Sequence, residues 1–413
     1  MNSKNNFKFL LVIIILLLVF GDNYLKAQIN VGVQRFELRD LGIPFVNAIP
    51  PDESAITSLI LGPEGKVYGG TTGPVCHLFV FSPTINRVKL LGQINGHQSI
   101  HHALAVGSDG MIYIGTGLDE IKQYPISDPV PGHGGIVISL WNDIEKRYAK
   151  YEGGHLYRYD PSNEKTVSVE IGQPCQVKDL GIPVSHEGIY TITASTKRPE
   201  IYGLSYPNGH FFVYNIATGK FLDKGEIYKE RVYGGPNRSL RSICRSLICD
   251  EQGNVYGSAD NEMLFKYDVE KGKIVKLKVQ IPHIYIAVVE TIVKDNHGLI
   301  YGGTSEGFLF KFNPQTEEII NLGKPLDQMR IRALTLGLDG KIYGIAGERK
   351  DRCHFFYYDP EKGGYTDLGI INVDRTPYYL WMGKQFDAMV TGLDGTIYIG
   401  ESERKSHLFL FYP

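Results

Sequence analysis

The chain has 413 residues, 43% of them hydrophobic and 11% aromatic, and a net charge of −2. That balance excludes the basic footprint of a nucleic-acid binder. Five cysteines without paired CxxC spacing give neither a disulfide framework nor a zinc site.

In chain order, residues 1–27 read as a secretory signal peptide. Lys4 and Lys8 give a positive start, residues 9–20 an apolar core, and Ala27-Gln28 a cleavage point. The apolar run is short for a bilayer span, so a membrane anchor is the weaker alternative. No cysteine follows that run to carry a lipid. The expectation is a periplasmic or secreted protein, not membrane-inserted after cleavage, with its cysteines as buried free thiols. Length alone allows two or three domains, but no composition break divides residues 28–413, which are expected to form a single domain.

From Tyr68 onward one pattern recurs. An apolar stretch leads into a D/E/N-x-G turn, a strand carrying Tyr-Gly or Tyr-Ile, and another strand ending in Asp-Pro or its equivalent. The anchors are Tyr68, Tyr113, Tyr202, Tyr256, Tyr301, Tyr343 and Tyr398, at spacings of 45, 89, 54, 45, 42 and 55 residues. A period near 40–50 residues built from short strands predicts an all-β, seven-bladed β-propeller. In the copy around Tyr301, residues 289–293, 299–303 and 308–312 are three strands, and 319–323 a fourth. The last copy ends at Pro413 without a fourth strand. Residues 36–43, Phe-Glu-Leu-Arg-Asp-Leu-Gly-Ile, match the fourth strand at 365–370. The N-terminal strand is therefore expected to complete the last blade and close the ring.

The doubled spacing after Tyr113 points to an insertion between the second and third strands of copy two, roughly residues 118–154, rich in Pro and Gly and containing Trp141. A lid or substrate wall is the expectation, with a neutral surface insertion as the alternative.

Eleven residues before each tyrosine stand Thr57, His102, Thr191, Arg245, Glu290, Arg332 and Asp387, all polar on an innermost strand. Such a ring converges near the axis and needs partners. Arginine pairs with carboxylate in a self-satisfied ring on one reading. On the other, Arg245 and Arg332 grip an anionic ligand bidentately. Glu290 and Asp387 also leave open a structural cation in the channel, although two carboxylates are few for calcium. No catalytic metal and no cofactor are called for.

The histidines fall into two groups. His77, His155, His210, His354 and His407 open the third strand in five copies, which marks blade packing. His97, His101 and His102 occur in copy two alone. His101 takes a core position, and His102 is the leading candidate for proton transfer. Copy three has Tyr190 in its first strand and Tyr206 in the turn Tyr206-Pro207-Asn208-Gly209. Tyr206 is expected to stand exposed on the insertion's face, as an acid/base partner or simply as a turn residue. Trp381 and Trp141 offer sugar-stacking faces or loop anchors.

The signal peptide, seven short blades, the blade phrase "DGxIYxGT…HLFxYDP", the histidines of copy two, the tyrosines of copy three and Arg245 together resemble the seven-bladed propeller polysaccharide lyases. These include the L-rhamnose-α-1,4-D-glucuronate lyases and, more distantly, ulvan lyases, with a related propeller α-L-rhamnosidase type. The resemblance implies β-elimination at glucuronic acid in a uronate-containing polysaccharide or oligosaccharide. A monomer is the separate expectation. Arg245, with Arg332 or His101, would neutralise the carboxylate. His102 or Tyr206 would take the C5 proton, and the other of these, or Tyr190, would protonate the leaving oxygen. His77, His97, His210 and Trp381 join His101 and Arg332 as expected substrate contacts. A hydrolase acting on the same linkage and a non-catalytic glycan- or protein-binding propeller are the alternatives.

Overall fold

The computed structural model describes residues 39–40, 49–118, 144, 146–164, 169–228, 243–285, 287–347, 353–375, 379–383, 385–403 and 405–413. The expected signal peptide lies outside them. Seven four-stranded antiparallel sheets stand around a common axis as a β-propeller. Their inner strands are Ala55–Leu61, Leu104–Val106, Gly188–Ala194, Ile248–Cys249, Val289–Lys294, Ile331–Leu336 and Phe386–Thr391. The closure follows the expectation. Arg39 pairs with Leu410 and Asp40 with Phe409, so the N-terminal strand supplies the outer strand of blade seven and covers its edge.

The repeat has a packing cause. All seven anchor tyrosines are buried, at 0–2% exposure. Three of them donate their hydroxyl to the aspartate of the preceding turn, Tyr113 to Asp109 at 3.0 Å, Tyr256 to Asp250 at 3.0 Å and Tyr343 to Asp339 at 2.8 Å. The same aspartates accept backbone N–H groups within their turns, so one side chain fixes both turn and strand. The glycine after tyrosine makes room for an aromatic ring on the next strand. Gly69, Gly203, Gly302 and Gly344 each pair with a phenylalanine. A Cβ on Gly302 would stand 2.2 Å from the Phe310 ring.

Two of the long spacings differ from the sequence reading. The 89-residue gap is not all insertion between the second and third strands of blade two. Residues 169–177 pair back onto blade one: Val169 N–H donates to Leu90 O at 3.0 Å and Cys175 N–H to Gln93 O at 2.8 Å. Glu164 also binds blade one, through Lys66, Lys89 and the Tyr68 hydroxyl. The spacing before Tyr398 is lengthened by a ribbon, Asn372–Arg375 with Tyr379–Met382, between blades six and seven. Trp381 lies on that ribbon, paired with Val373; its side chain, and Trp141, lie outside what is described. No helix among the described residues is long and apolar enough to cross a membrane, and no disulfide links the five cysteines.

Candidate functional site

The polar ring is built by β-bulges. The register of the inner strand against its neighbour slips between Ile56 and Ser58, Val289 and Thr291, Ile331 and Ala333, and Phe386 and Ala388. The extra residues are Thr57, Glu290, Arg332 and Asp387. A bulge re-aims a side chain that would otherwise continue the pleat, and here four blades use it at one level of the axis.

In blade three the slip falls between Ile189 and Thr191, so the bulged residue is Tyr190. The expected ring member Thr191 is thereby corrected to Tyr190. The cause is local. Tyr202 pairs nine residues back with Thr193, whereas Tyr301 pairs eight back with Val293. Copy three lacks the D-x-G turn and has one more residue in Ala194-Ser195-Thr196-Lys197-Arg198-Pro199-Glu200-Ile201. That missing turn was the available signal.

The ring's charges pair with each other. Arg245 Nη1 contacts Glu290 Oε2 at 2.8 Å, and Arg245 Nη2 lies 3.6 Å from Asp387 Oδ1. Arg332 binds Asp387 and also donates Nε–H to Phe386 O at 3.0 Å. Arg330, which the sequence reading passed over because it precedes the ring position by two, donates to Glu290 Oε2 at 2.6 Å. Its backbone sits in the left-handed region at φ 63°, a costly geometry for arginine. Burial alone would raise Glu290, but Arg330 and Arg245 hold its carboxyl at about 2. Burial likewise opposes the charge on Asp387, and Arg332 and Arg245 hold its pKa far below the usual carboxylate range. The self-pairing arrangement is thus the observed one. Arginines pair with both carboxylates.

His102 and Tyr190 each feel the Arg245 charge, and His101 lies against both, with Tyr206 against Tyr190. The His101 ring lies 4.9 Å from Tyr190, edge-on, and 6.5 Å from His102; Tyr190 lies 5.3 Å from Tyr206. Burial and the nearby Arg245 charge lower His102 to about 3, so its imidazole is neutral at pH 7. Its Nε2, and Nε of Arg245, have no hydrogen-bond partner among the described residues. Burial first, and then the neighbouring His102 and Arg245, hold His101 well below its ordinary value. Burial raises Tyr190 despite the opposing Arg245 charge, so its phenol keeps its proton. His102, Glu290, Arg332 and Asp387 border an axial cavity of about 380 Å³.

Other expected site residues are elsewhere. Tyr206 is not exposed: it is 4% accessible because Tyr148, from the end of the insertion, packs on it at 5.6 Å. His97 is separated from His101 and His102 in its contacts. Its Nδ1 meets Tyr151 Oη at 2.8 Å and its Nε2 meets Tyr157 Oη at 3.0 Å. Burial and His155 lower it to about 4. His77, expected to touch substrate, has no exposed surface and faces Glu53 at 2.7 Å. His210 pairs with Asp223 at 2.9 Å, as His155 does with Asp179 and His354 with Asp367. Each of those aspartates also accepts the N–H of a glycine two residues on, which makes the pair a device of the outer strands. No group of three or more His, Cys, Asp or Glu suited to a metal occurs among the described residues.

No family model matches the sequence, and no curated protein matches it either. Solved structures do share the fold. A streptogramin B lyase aligns at 13% identity with a TM-score of 0.59, over 91% of this chain and 97% of its own. A catalytically inactive virginiamycin B lyase from Staphylococcus aureus, solved with quinupristin, aligns at 11% and 0.59, over 92% and 100%. The extracellular domain of a protein described as a hybrid two-component system from B. thetaiotaomicron aligns at 14% and 0.54, over 91% of this chain and 39% of that one. Likeness at such identity shows the propeller fold alone, in a set that holds both lyases and an extracellular domain of a two-component-system protein.

Proposed function

We propose that the protein is an exported polysaccharide lyase that cleaves a linkage to glucuronic acid, rhamnosyl-glucuronate in the first instance, by β-elimination. The observation that carries this reading is the neutral His102, with an unpartnered Nε2, on the axial cavity, with the Arg245 charge near it. A cavity of about 380 Å³ lies in the range of small-ligand sites. Elimination needs a cation on the uronate carboxylate, a base for the C5 proton and an acid for O4. Arg245 takes the first role; Nη1 is engaged by Glu290 and Nη2 lies 3.6 Å from Asp387, which leaves Nε without a hydrogen-bond partner among the described residues. His102 Nε2 takes the C5 proton and the electron pair forms the C4–C5 double bond. The C4–O4 bond breaks, and O4 leaves with a proton from a tyrosine, Tyr190 or Tyr206.

The rival hydrolase would need a carboxyl group that stays protonated near neutral pH. Glu290 and Asp387 are held ionised by arginines, which disfavours them as that acid. A second reading, a non-catalytic binding propeller, is favoured by the depth of the cluster, with Arg245 at 2% exposure. One assay separates the three. Purified protein is incubated with gum arabic, ulvan and a panel of uronate-containing glycans. The lyase forms a 4,5-unsaturated uronate that absorbs in the ultraviolet. Sugar release without that absorbance means a hydrolase, and no release across the panel means a binder.

A further inference from the structure

The axial cavity is a shaft with a direction. On every blade it is bordered by residues at the polar ring or past it along the inner strand, among them Leu61, His102, Thr193, Ser246, Glu290 and Asp387. None of the described residues before the ring level borders it. Burial falls the same way. Val289, Ile331 and Phe386 begin their strands wholly buried, whereas Lys294, Leu336 and Thr391 end them half-buried. In blades one and three the change comes at residues 60–61 and 193–194. Those ends lead into the turns between first and second strands. The blade-two insertion joins a second strand to a third, which in an antiparallel blade is the opposite end. The open end of the shaft and the insertion therefore lie on opposite faces.

Past the ring the wall carries no charged residue, and Ser58, Thr191, Thr193 and Ser246 are hydroxyl-bearing. Each inner strand has a sheet neighbour on one side only, so its other edge turns N–H and C=O groups toward the axis. Uncharged donors and acceptors together suit hydroxyl groups, which do both. We infer that a sugar unit reaches the His102 end of this shaft from the face of the first-to-second-strand turns, opposite the insertion. The unit is a free sugar or the last one of a chain, since the buried ion pairs of the ring stand across the inner end. The inference rests on the lyase reading above for the kind of sugar. It adds the route of entry, and it takes the insertion out of the wall of that entrance.

Thiol labelling of the full chain tests the route without turnover. Ser246→Cys places a thiol on the shaft wall beside the ring. Four of the five native thiols are buried, and wild type supplies the background rate. Ser246→Cys is expected to react with a small methanethiosulfonate reagent. Adding Thr193→Trp or Leu61→Trp, both nearer the open end, should slow that reaction at least about tenfold, while Thr193→Ser leaves it unchanged. Circular dichroism verifies that the variants fold. D-glucuronate, L-rhamnose or gum arabic should also slow it, and glycerol should not. Protection by the free sugars alone assigns a free-sugar site, and protection by gum arabic as well assigns a chain end. No labelling above background, labelling indifferent to both tryptophans, or no protection beyond that of glycerol each overturns the inference. Protection by sugar with no unsaturated product from wild type keeps the shaft site and removes the lyase reading. Unsaturated product undiminished in both tryptophan variants removes the entrance alone.

Discussion

Arg245 and Glu290, from the inner edges of neighbouring blades, are paired at 2.8 Å with both side chains almost wholly buried. Arg330 reaches the same Glu290 oxygen from the loop before blade six, and Arg332 and Arg245 share Asp387. Each carboxylate therefore serves two guanidinium groups, and removal of one leaves uncompensated buried charge. Glu290→Gln is expected to destabilise the fold by about 3 kcal/mol, read from the urea unfolding midpoint at pH 7. A shift under 1 kcal/mol would mean that water in the channel solvates the arginines.

His102 carries the proposed proton transfer. His102→Ala is expected to lower the rate of unsaturated-product formation by at least about 10²-fold, with circular dichroism and thermal midpoint close to wild type. Undiminished activity would take His102 out of the site. Only the neutral ring can accept a proton, and burial keeps it neutral at pH 7.

The same histidine makes stability depend on pH with a definite sign. Its folded value, about 3, lies below the ordinary 6.5. Between those values the unfolded chain binds the proton and the folded chain does not, so stability falls as pH drops from 6.5 toward 3. His102→Gln should lessen that loss by about 1.4 kcal/mol per pH unit, measured by urea unfolding at pH 7 and pH 5. Glu290 acts in a lower window. Its stabilisation, present above its ordinary 4.5, disappears as pH falls toward its folded value of about 2. Equal pH slopes for wild type and His102→Gln would show that the ring titrates normally.

The Tyr-Gly step of the repeat predicts a packing cost. Gly302→Ala places a methyl 2.2 Å from the Phe310 ring, and both lie in a filled blade interior. The expected loss is about 1–3 kcal/mol, and Phe310→Leu in the same chain should recover part of it. Gly323→Ala is a useful contrast. Its Cβ would meet nothing within 4 Å, but its φ is +87°, so its loss comes from backbone strain and should not respond to Phe310→Leu.

The sequence by itself determined the seven blades, their closure by the N-terminal strand and the level of the polar ring. These are local and periodic: a buried tyrosine returns in every copy, and in most copies a glycine follows it and seats a ring of the next strand. Six of the seven ring positions were legible by counting back from tyrosine. Tyr190 was not, because one extra turn residue in copy three shifts the count. The tertiary structure alone decided how the charges are spent. Arg330 lies beside Glu290 through a loop left-handed at φ 63°, and no periodicity in sequence marks such a contact. The burial of Tyr206 under Tyr148 and the separation of His97 from His102 have the same origin. They depend on how the blade-two insertion folds back, which no other copy of the repeat records.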